Sequence, residues 1–193
     1  MFKNKQIRLS KLADVRSGVT FRTKVSHVKD GDTSVIQMRD VSYENLTISE
    51  DVSRIDGRIF KEDSYLKVND LLFVAKGSKN YSVLYAGQFE KAVAISFFFV
   101  IRPKEHIDAS YLNWYLNSSL AQREFHKGSE GTQIRSISKS SLQDLPVILP
   151  SYQDQKKVGS LYALMNKEAQ LMDILKEKRK QLASRSLINF VTN

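Results

Sequence analysis

The sequence predicts a mixed α/β globule over residues 1–150, followed by a long C-terminal coiled-coil helix over residues 151–193. In the first part, short β-branched and aromatic runs alternate with helical patterns and polar loops, as in a domain with one core. After Pro150 there is no further proline and a single glycine, Gly159, and the apolar residues recur at heptad spacing. We therefore expect one globular domain that carries a helical arm.

Local patterns predict the elements of the globule in chain order. Residues 9–18 are expected to form a short helix that Gly18 ends, and residues 42–64 are polar and loop-like. Asp108 is placed to cap a single helix over residues 109–127. The runs that predict strands are residues 35–38, 71–75, 83–86, 92–101 and 145–149. The aromatic residues expected in the core are Phe97, Phe98, Phe99, Tyr111 and Trp114.

The arm starts with a capping-box-like sequence at residues 151–154 and is expected to be helical to about Asn189. At about 1.5 Å per residue such a helix is roughly 50 Å long and extends beyond a globule of this size. The side chains at its heptad positions are Val158, Leu161, Met165, Met172, Leu175 and Leu182. Because this seam needs a partner, we expect these residues to form a dimer interface with another helix.

Composition excludes several classes of function. The chain has no cysteine, so thiolate metal sites and cysteine nucleophiles are absent. It contains no phosphate-binding GxxxxGK[ST] loop, no GxGxxG fingerprint, no glycine-rich methyl-donor loop and no histidines at metal-ligand spacing. We expect a non-catalytic protein without cofactor or metal. No apolar run could span a bilayer, and residues 1–11 do not resemble a signal peptide, so a cytoplasmic location is expected.

The net charge of +9 and several polar, basic loops favour a polyanionic partner such as DNA. Arginine and glutamine can pair with guanine and adenine edges, and lysine can clamp phosphates. The candidate DNA-binding residues are Thr20, Arg22, Lys24, Gln37, Arg39, Lys76, Ser78, Lys79, Asn80, Tyr81, Gln133 and Arg135. Asp70 followed by Lys76 faintly suggests a metal-dependent nuclease, but the spacing favours a solvated strand end for Asp70.

Taken together, the ordered segments resemble the specificity subunit of Type I restriction-modification enzymes. The matching segments are residues 9–18, 36–41, 66–73 leading to 76–78, 107–112, 131–134, and the junction 149–155 before the long helix. The resemblance covers nearly the whole chain. Each segment alone is unspecific, and it is their order and spacing that carry the likeness.

The resemblance implies that the globule reads one half of a bipartite site in double-stranded DNA and that the helix packs, antiparallel, against a second such helix. It also implies that methyltransferase subunits dock on the chain, that restriction subunits join through them, and that both catalytic activities belong to those subunits. A full-length subunit carries two globules and two helices, whereas this sequence has one of each. A self-paired half-subunit, a split pair and a truncated product all remain open, and we expect the homodimer. The alternatives from other classes are a coiled-coil protein-interaction adaptor and a stand-alone nuclease.

Overall fold

The structure, a computed structural model, describes residues 5–127 and 135–192. The strands are β1 (Lys5–Arg8), β2 (Ala13–Ser17), β3 (Thr33–Ile36), β4 (Val41–Ser42), β5 (Thr47–Ile48), β6 (Ser53–Ile55), β7 (Leu71–Val74), β8 (Lys76–Gly77), β9 (Ser82–Leu84), β10 (Ala92–Ala94), β11 (Phe98–Pro103), β12 (Arg135–Ser136) and β13 (Pro146–Leu149). The helices are α1 (Leu9–Leu12), α2 (Ala109–Asn117), α3 (Ser119–His126), α4 (Lys139–Gln143) and α5 (Tyr152–Thr192).

Two sheets form the centre of the globule. One is antiparallel with strand order β2-β11-β7-β9, and the other, in the order β10-β3-β6, pairs β10 with β3 in parallel and β3 with β6 antiparallel. Helices α2 and α3 contribute Leu112, Leu116 and Ala121 to the largest apolar cluster, and all three are fully buried. The predicted α/β globule followed by a long helix is therefore confirmed.

Several predicted elements have different bounds in the structure. The helix predicted over residues 9–18 ends at Leu12, because residues 13–17 pair with β11 as strand β2. The predicted strand 92–101 is interrupted by a turn, in which the Phe98 amide donates to the Ile95 carbonyl over 3.0 Å. The two halves, β10 and β11, belong to different sheets. The prediction that residues 42–64 are loop missed β5, β6 and two 3₁₀ turns.

The helix predicted over residues 109–127 is capped as expected, since Asp108 Oδ1 accepts a hydrogen bond from the Tyr111 amide over 2.8 Å. It divides at Ser118, whose backbone is extended. The Asn117 amide group donates to the Ser82 carbonyl over 2.9 Å, and the Ser118 hydroxyl donates to the Tyr115 carbonyl over 2.7 Å. These short polar side chains compete for backbone groups, which explains why one predicted helix is two.

The first half of α5 packs closely on the globule. Gln155 is buried, and its side chain accepts from the Asp108 amide over 2.9 Å and donates to the Pro150 carbonyl over 3.1 Å. A Cβ atom at Gly159 would lie 2.9 Å from the Tyr111 amide nitrogen and 2.9 Å from Asp108 Oδ1. A larger residue there would push α5 away from the capped end of α2, so glycine permits the close approach.

Asp70 is not a solvated strand end, and that prediction is wrong. Its side chain is buried and makes a two-point ion pair with Arg102, with both nitrogen–oxygen distances at 2.7 Å. The Lys67 amide donates to the same carboxylate over 2.9 Å. Hydrogen bonding to Asp70 raises the pKa of Arg102, and burial lowers the pKa of the neighbouring Arg16. The carboxylate therefore ties the end of β11 to the turn that precedes β7.

Candidate nucleic-acid interface

Several chain segments that are distant in sequence meet at one side of the two sheets. The Ile95 amide donates to the Ile36 carbonyl over 3.1 Å, and the Ser96 amide donates to the Val19 carbonyl over 2.8 Å. Phe98 lies opposite Val74, so the residues just before β11 adjoin those just after β7. We call this side the loop edge, defined by residues 19–20, 37–39, 76–79 and 96–97. It gathers segments that the sequence analysis had singled out separately.

Gln37 and Arg39 are fixed on the loop edge by a shared partner. Gln37 Nε2 in the side chain donates to the Ser53 hydroxyl oxygen over 3.2 Å, and Arg39 Nη2 donates to the same oxygen over 2.8 Å. Buried Asp40 accepts from the Gln37 backbone amide over 2.8 Å and lies 3.5 Å from Arg39 Nε. The Arg39 side chain remains 62% exposed. Both side chains can pair with base edges. Arg39 is restrained while largely exposed, whereas Gln37 is half-buried with its side-chain nitrogen on buried Ser53.

The loop that follows β7 carries two exposed ammonium groups. Lys76, Ser78 and Lys79 are exposed, and the Lys79 nitrogen lies 3.7 Å from the centre of the Tyr43 ring. This cation–π contact restrains the long side chain and leaves its charge in place. Strand β8 pairs with β12, which places the Arg135 backbone opposite Gly77. Because lysines at a loop tip can approach phosphates, the loop suits backbone contacts.

Asn80 and Tyr81, which were also predicted to contact DNA, are only 7% exposed. The Asn80 amide nitrogen donates to the Val74 carbonyl over 3.0 Å, and the Tyr81 hydroxyl donates to the Val41 carbonyl over 3.4 Å. Burial raises the pKa of Tyr81, with a further contribution from Glu44. The burial of both side chains disagrees with direct contact to DNA. Their hydrogen bonds instead support the loop that carries Lys79.

The remaining predicted residues differ in how the structure places them. Thr20 is exposed on the loop edge, next to Ser96. Arg22 and Lys24 are exposed on the segment that leads away from the edge toward the start of β3. Gln133 lies outside the described residues, and for Arg135 only the backbone is described. The structure therefore brings together Thr20, Gln37, Arg39, Lys76, Ser78 and Lys79.

Tyr43 and Ser53 also contribute to this site, although local sequence patterns did not identify them. Tyr43 stacks edge-on against Tyr81 with 5.1 Å between ring centres, and Ser53 supplies the oxygen shared by Gln37 and Arg39. Both residues lie in the region predicted to be loop. Neither has a periodic or motif signal, since their partners are at least 14 residues away along the chain.

Among the residues that the structure describes, no three histidine, aspartate or glutamate side chains form a group that could hold a metal ion. Asp70, the carboxylate considered for a nuclease, is occupied by Arg102 at the opposite end of the sheet. Beside the loop edge is an open cleft of about 410 Å³, lined in part by Tyr43, Lys79 and Tyr162 of α5. The loop edge therefore presents exposed ammonium groups next to an open cleft.

The structure thus combines a mixed α/β globule, a loop edge with exposed basic side chains, and a long C-terminal helix. Residues 2–182 match the family described as Type I restriction modification DNA specificity domain. The match covers most of the chain, and the protein belongs to this family. A DNA specificity domain is a recognition element, so the family agrees with the prediction of a non-catalytic subunit. A search of curated proteins found no match.

Solved structures show the same fold at low sequence identity. The HsdS subunit of Thermoanaerobacter tengcongensis aligns with 91% of this chain at a TM-score of 0.65 and 14% identity. A protein from a structural study of complex assembly and conformational transition of the type I R-M system aligns with 96% at 0.63 and 14%. The Type-I restriction-modification S subunit of M. genitalium aligns with 93% at 0.59 and 15%. This chain spans 40%, 44% and 44% of those three chains, respectively.

No helix within residues 5–127 and 135–192 combines the length and the apolar character needed to cross a membrane.

The helical arm, α5, has two different faces. Gln155, Gly159 and Tyr162 face the globule, and the Gln170 amide nitrogen reaches the Asn45 carbonyl over 3.1 Å. Val158, predicted to be in the dimer seam, is half-buried against the core of its own globule. The other predicted seam residues are 44–67% exposed: Leu161, Met165, Met172, Leu175 and Leu182.

Proposed function

We propose that this chain is a DNA specificity subunit that reads one half of a bipartite duplex target in a Type I restriction-modification complex. The observation that carries the proposal is the convergence of Thr20, Gln37, Arg39, Lys76 and Lys79 on the loop edge, from three separate chain segments. The family description supports it. The complex would act on cellular DNA in the cytoplasm, with methyltransferase subunits docked on this chain and restriction subunits joined through them.

The side chains of the loop edge have two roles in this proposal. Gln37 and Arg39 read base edges, because their shared anchor at Ser53 fixes the direction of their polar groups. Lys76 and Lys79 contact phosphates, which adds affinity for any sequence and releases counterions. Specificity and affinity are thus carried by different residues, which makes the two separable by substitution.

The exposed face of α5 supports pairing with a second copy of the chain. The heptad that contains Met165, Met172 and Leu175 also places Glu168 and Arg179 at seam positions. In a parallel pair each charged residue would face its own copy, which is unfavourable. In an antiparallel pair with Met172 opposite Leu175, Met165 faces Leu182 and Glu168 faces Arg179 in two equivalent layers. Charge complementarity therefore favours an antiparallel homodimer in this register.

This register sets the distance between the two globules. Tyr162, which lines the cleft beside the loop edge, would be separated from Tyr162 of the second chain by about 23 residues of helix rise, or about 35 Å. That distance is close to one turn of DNA. Two-fold symmetry then requires inverted half-sites whose centres lie about one helical turn apart.

Removing a phosphate contact and removing a base contact are expected to have different effects on duplex binding. Lys79→Ala should weaken binding to all sequences about fivefold and lower the salt slope by about one. Arg39→Ala should weaken binding to the selected target by about 10- to 100-fold and leave non-specific binding nearly unchanged. The measurement is fluorescence anisotropy with target and scrambled duplexes across a series of salt concentrations.

Lys67→Ala is the matched control, since Lys67 is an exposed lysine at the far end of the sheet. It should retain the affinity and the salt slope of the unmodified chain. If the unmodified chain has no salt-sensitive affinity for duplex DNA, the proposal fails and the adaptor alternative is supported. Equal effects of Lys67→Ala and Lys79→Ala would contradict the placement of DNA on the loop edge.

A further inference from the structure

Phe97 is an apolar side chain exposed at the centre of the loop edge. It lies in the turn between β10 and β11, and its ring is 51% exposed, whereas the adjacent Phe98 is fully buried. The prediction that Phe97 packs in the core is therefore wrong. Strand alternation puts Phe98 inward, and the turn puts Phe97 outward. The exposed part of this side chain is available to a partner.

The hydrogen bonds around this turn place Phe97 among the polar residues of the loop edge. The preceding Ser96 bonds to Val19, which adjoins Thr20, and Ile95 bonds to Ile36, which adjoins Gln37. The next residue, Phe98, lies opposite Val74, two positions before Lys76. Phe97 is thus surrounded by segments that carry a hydroxyl, an amide and an ammonium group. An apolar ring in this setting suits a ligand that is mostly polar and has one apolar group.

We propose that Phe97 is a specificity residue that contacts the C5-methyl group of a thymine in the major groove. This inference rests on the proposed function. The thymine methyl is the apolar group that the major groove presents among its donors and acceptors, and phenylalanine is one of the side chains that contact it. Gln37 and Arg39, the neighbouring base-reading candidates, pair with base edges in the same groove. Phe97 would therefore discriminate thymine from cytosine at one position of each half-site.

Replacing thymine by uracil removes the methyl group and retains the base pair, which provides a direct test. The target is first selected from random duplexes by the full-length chain, and each thymine is then replaced by uracil. At one thymine per half-site, uracil should weaken binding by the unmodified chain about tenfold. Phe97→Ala should bind the thymine duplex with a similar loss of affinity relative to the unmodified chain. Replacing thymine by uracil should then cause no further loss of affinity in this variant.

Val68→Ala is the control for the loss of an exposed apolar side chain, because Val68 is 62% exposed and lies near Asp70, at the opposite end of the sheet. It should respond to uracil as the unmodified chain does. Thermal unfolding of Phe97→Ala should match that of the unmodified chain, which excludes a folding defect as the cause.

The possible results separate this inference from the proposed function. If the chain selects a target that has no thymine, the Phe97 inference is overturned and the proposed function stands. The same conclusion follows if uracil lowers the affinity of the unmodified chain and of Phe97→Ala equally. Phe97-dependent fluorescence of 2-aminopurine in the target would indicate base unstacking by a wedge and would also overturn it. If the chain selects no sequence at all, the proposed function fails, and the inference fails with it.

Discussion

Asp70→Ala is expected to destabilise the globule by about 3 kcal/mol, the scale for breaking a buried ion pair by removing one partner. The carboxylate accepts hydrogen bonds from Arg102 and from the Lys67 amide, and it counters the charge of Arg16. Removing it leaves the Arg102 guanidinium, 30% exposed, without its counter-charge. For a chain of this length the loss corresponds to a decrease of about 10 °C in the unfolding temperature. Chemical denaturation and calorimetry measure both quantities.

Asp63→Ala is the matched control, because Asp63 is an exposed aspartate near the same arginines. It should change the free energy of unfolding by less than about 0.5 kcal/mol. Below its unfolding temperature, Asp70→Ala should still prefer the same DNA sequence, since Asp70 lies at the end of the sheet opposite the loop edge. Similar stability of the two variants would show that the Asp70–Arg102 pair does not hold the strands together.

Reversing one seam charge is expected to dissociate the proposed antiparallel dimer, and reversing both is expected to restore it. Glu168→Arg places two arginines together in each of the two equivalent layers. We expect a loss of about 2–3 kcal/mol, or about 50-fold in the dimer dissociation constant. Arg179→Glu should have a similar effect. The double variant should associate as the unmodified chain does, as should an equimolar mixture of the two single variants. Sedimentation velocity over a concentration series measures these constants.

The order of affinities distinguishes the two helix orientations. If the helices were parallel, the double variant would associate no more tightly than Glu168→Arg. The mixture of the two single variants would then associate more tightly than the unmodified chain. A control substitution of similar charge change, Glu177→Arg, lies outside the seam and should have less than a threefold effect. A chain that stays monomeric at all concentrations would contradict the homodimer and favour a split pair with a different chain.

The sequence predicted well those features that depend on residues near one another in the chain. The Asp108 cap and the long helix after Pro150 follow from local spacing, and the structure contains both. At the start of α5, Ser151 Oγ accepts from the Asp154 amide over 3.2 Å, as the capping pattern predicts. The polar loop segments were also recognised, because glycine and basic residues cluster in them.

Features that depend on distant partners could not be predicted from local patterns. Asp70 looks like an exposed strand end until Arg102, 32 residues further on, is placed beside it. Tyr81 belongs to a polar loop in sequence, yet it is buried against Val41, 40 residues away. The run from residue 92 to 101 contains no glycine or proline, and only the pairing of its two halves with different sheets reveals the turn that exposes Phe97.

The most direct test of the central claim is modification-resolved genome sequencing of the source strain with and without this gene. We predict that one bipartite methylated motif disappears with the gene, and that its half-sites are inverted copies with centres about one helical turn apart. Restoring the gene with Arg39→Ala should reduce methylation of that motif or broaden it to related sequences. An unchanged set of methylated motifs, in a strain whose methyltransferase is shown to be active, would contradict the role of this chain as the specificity subunit.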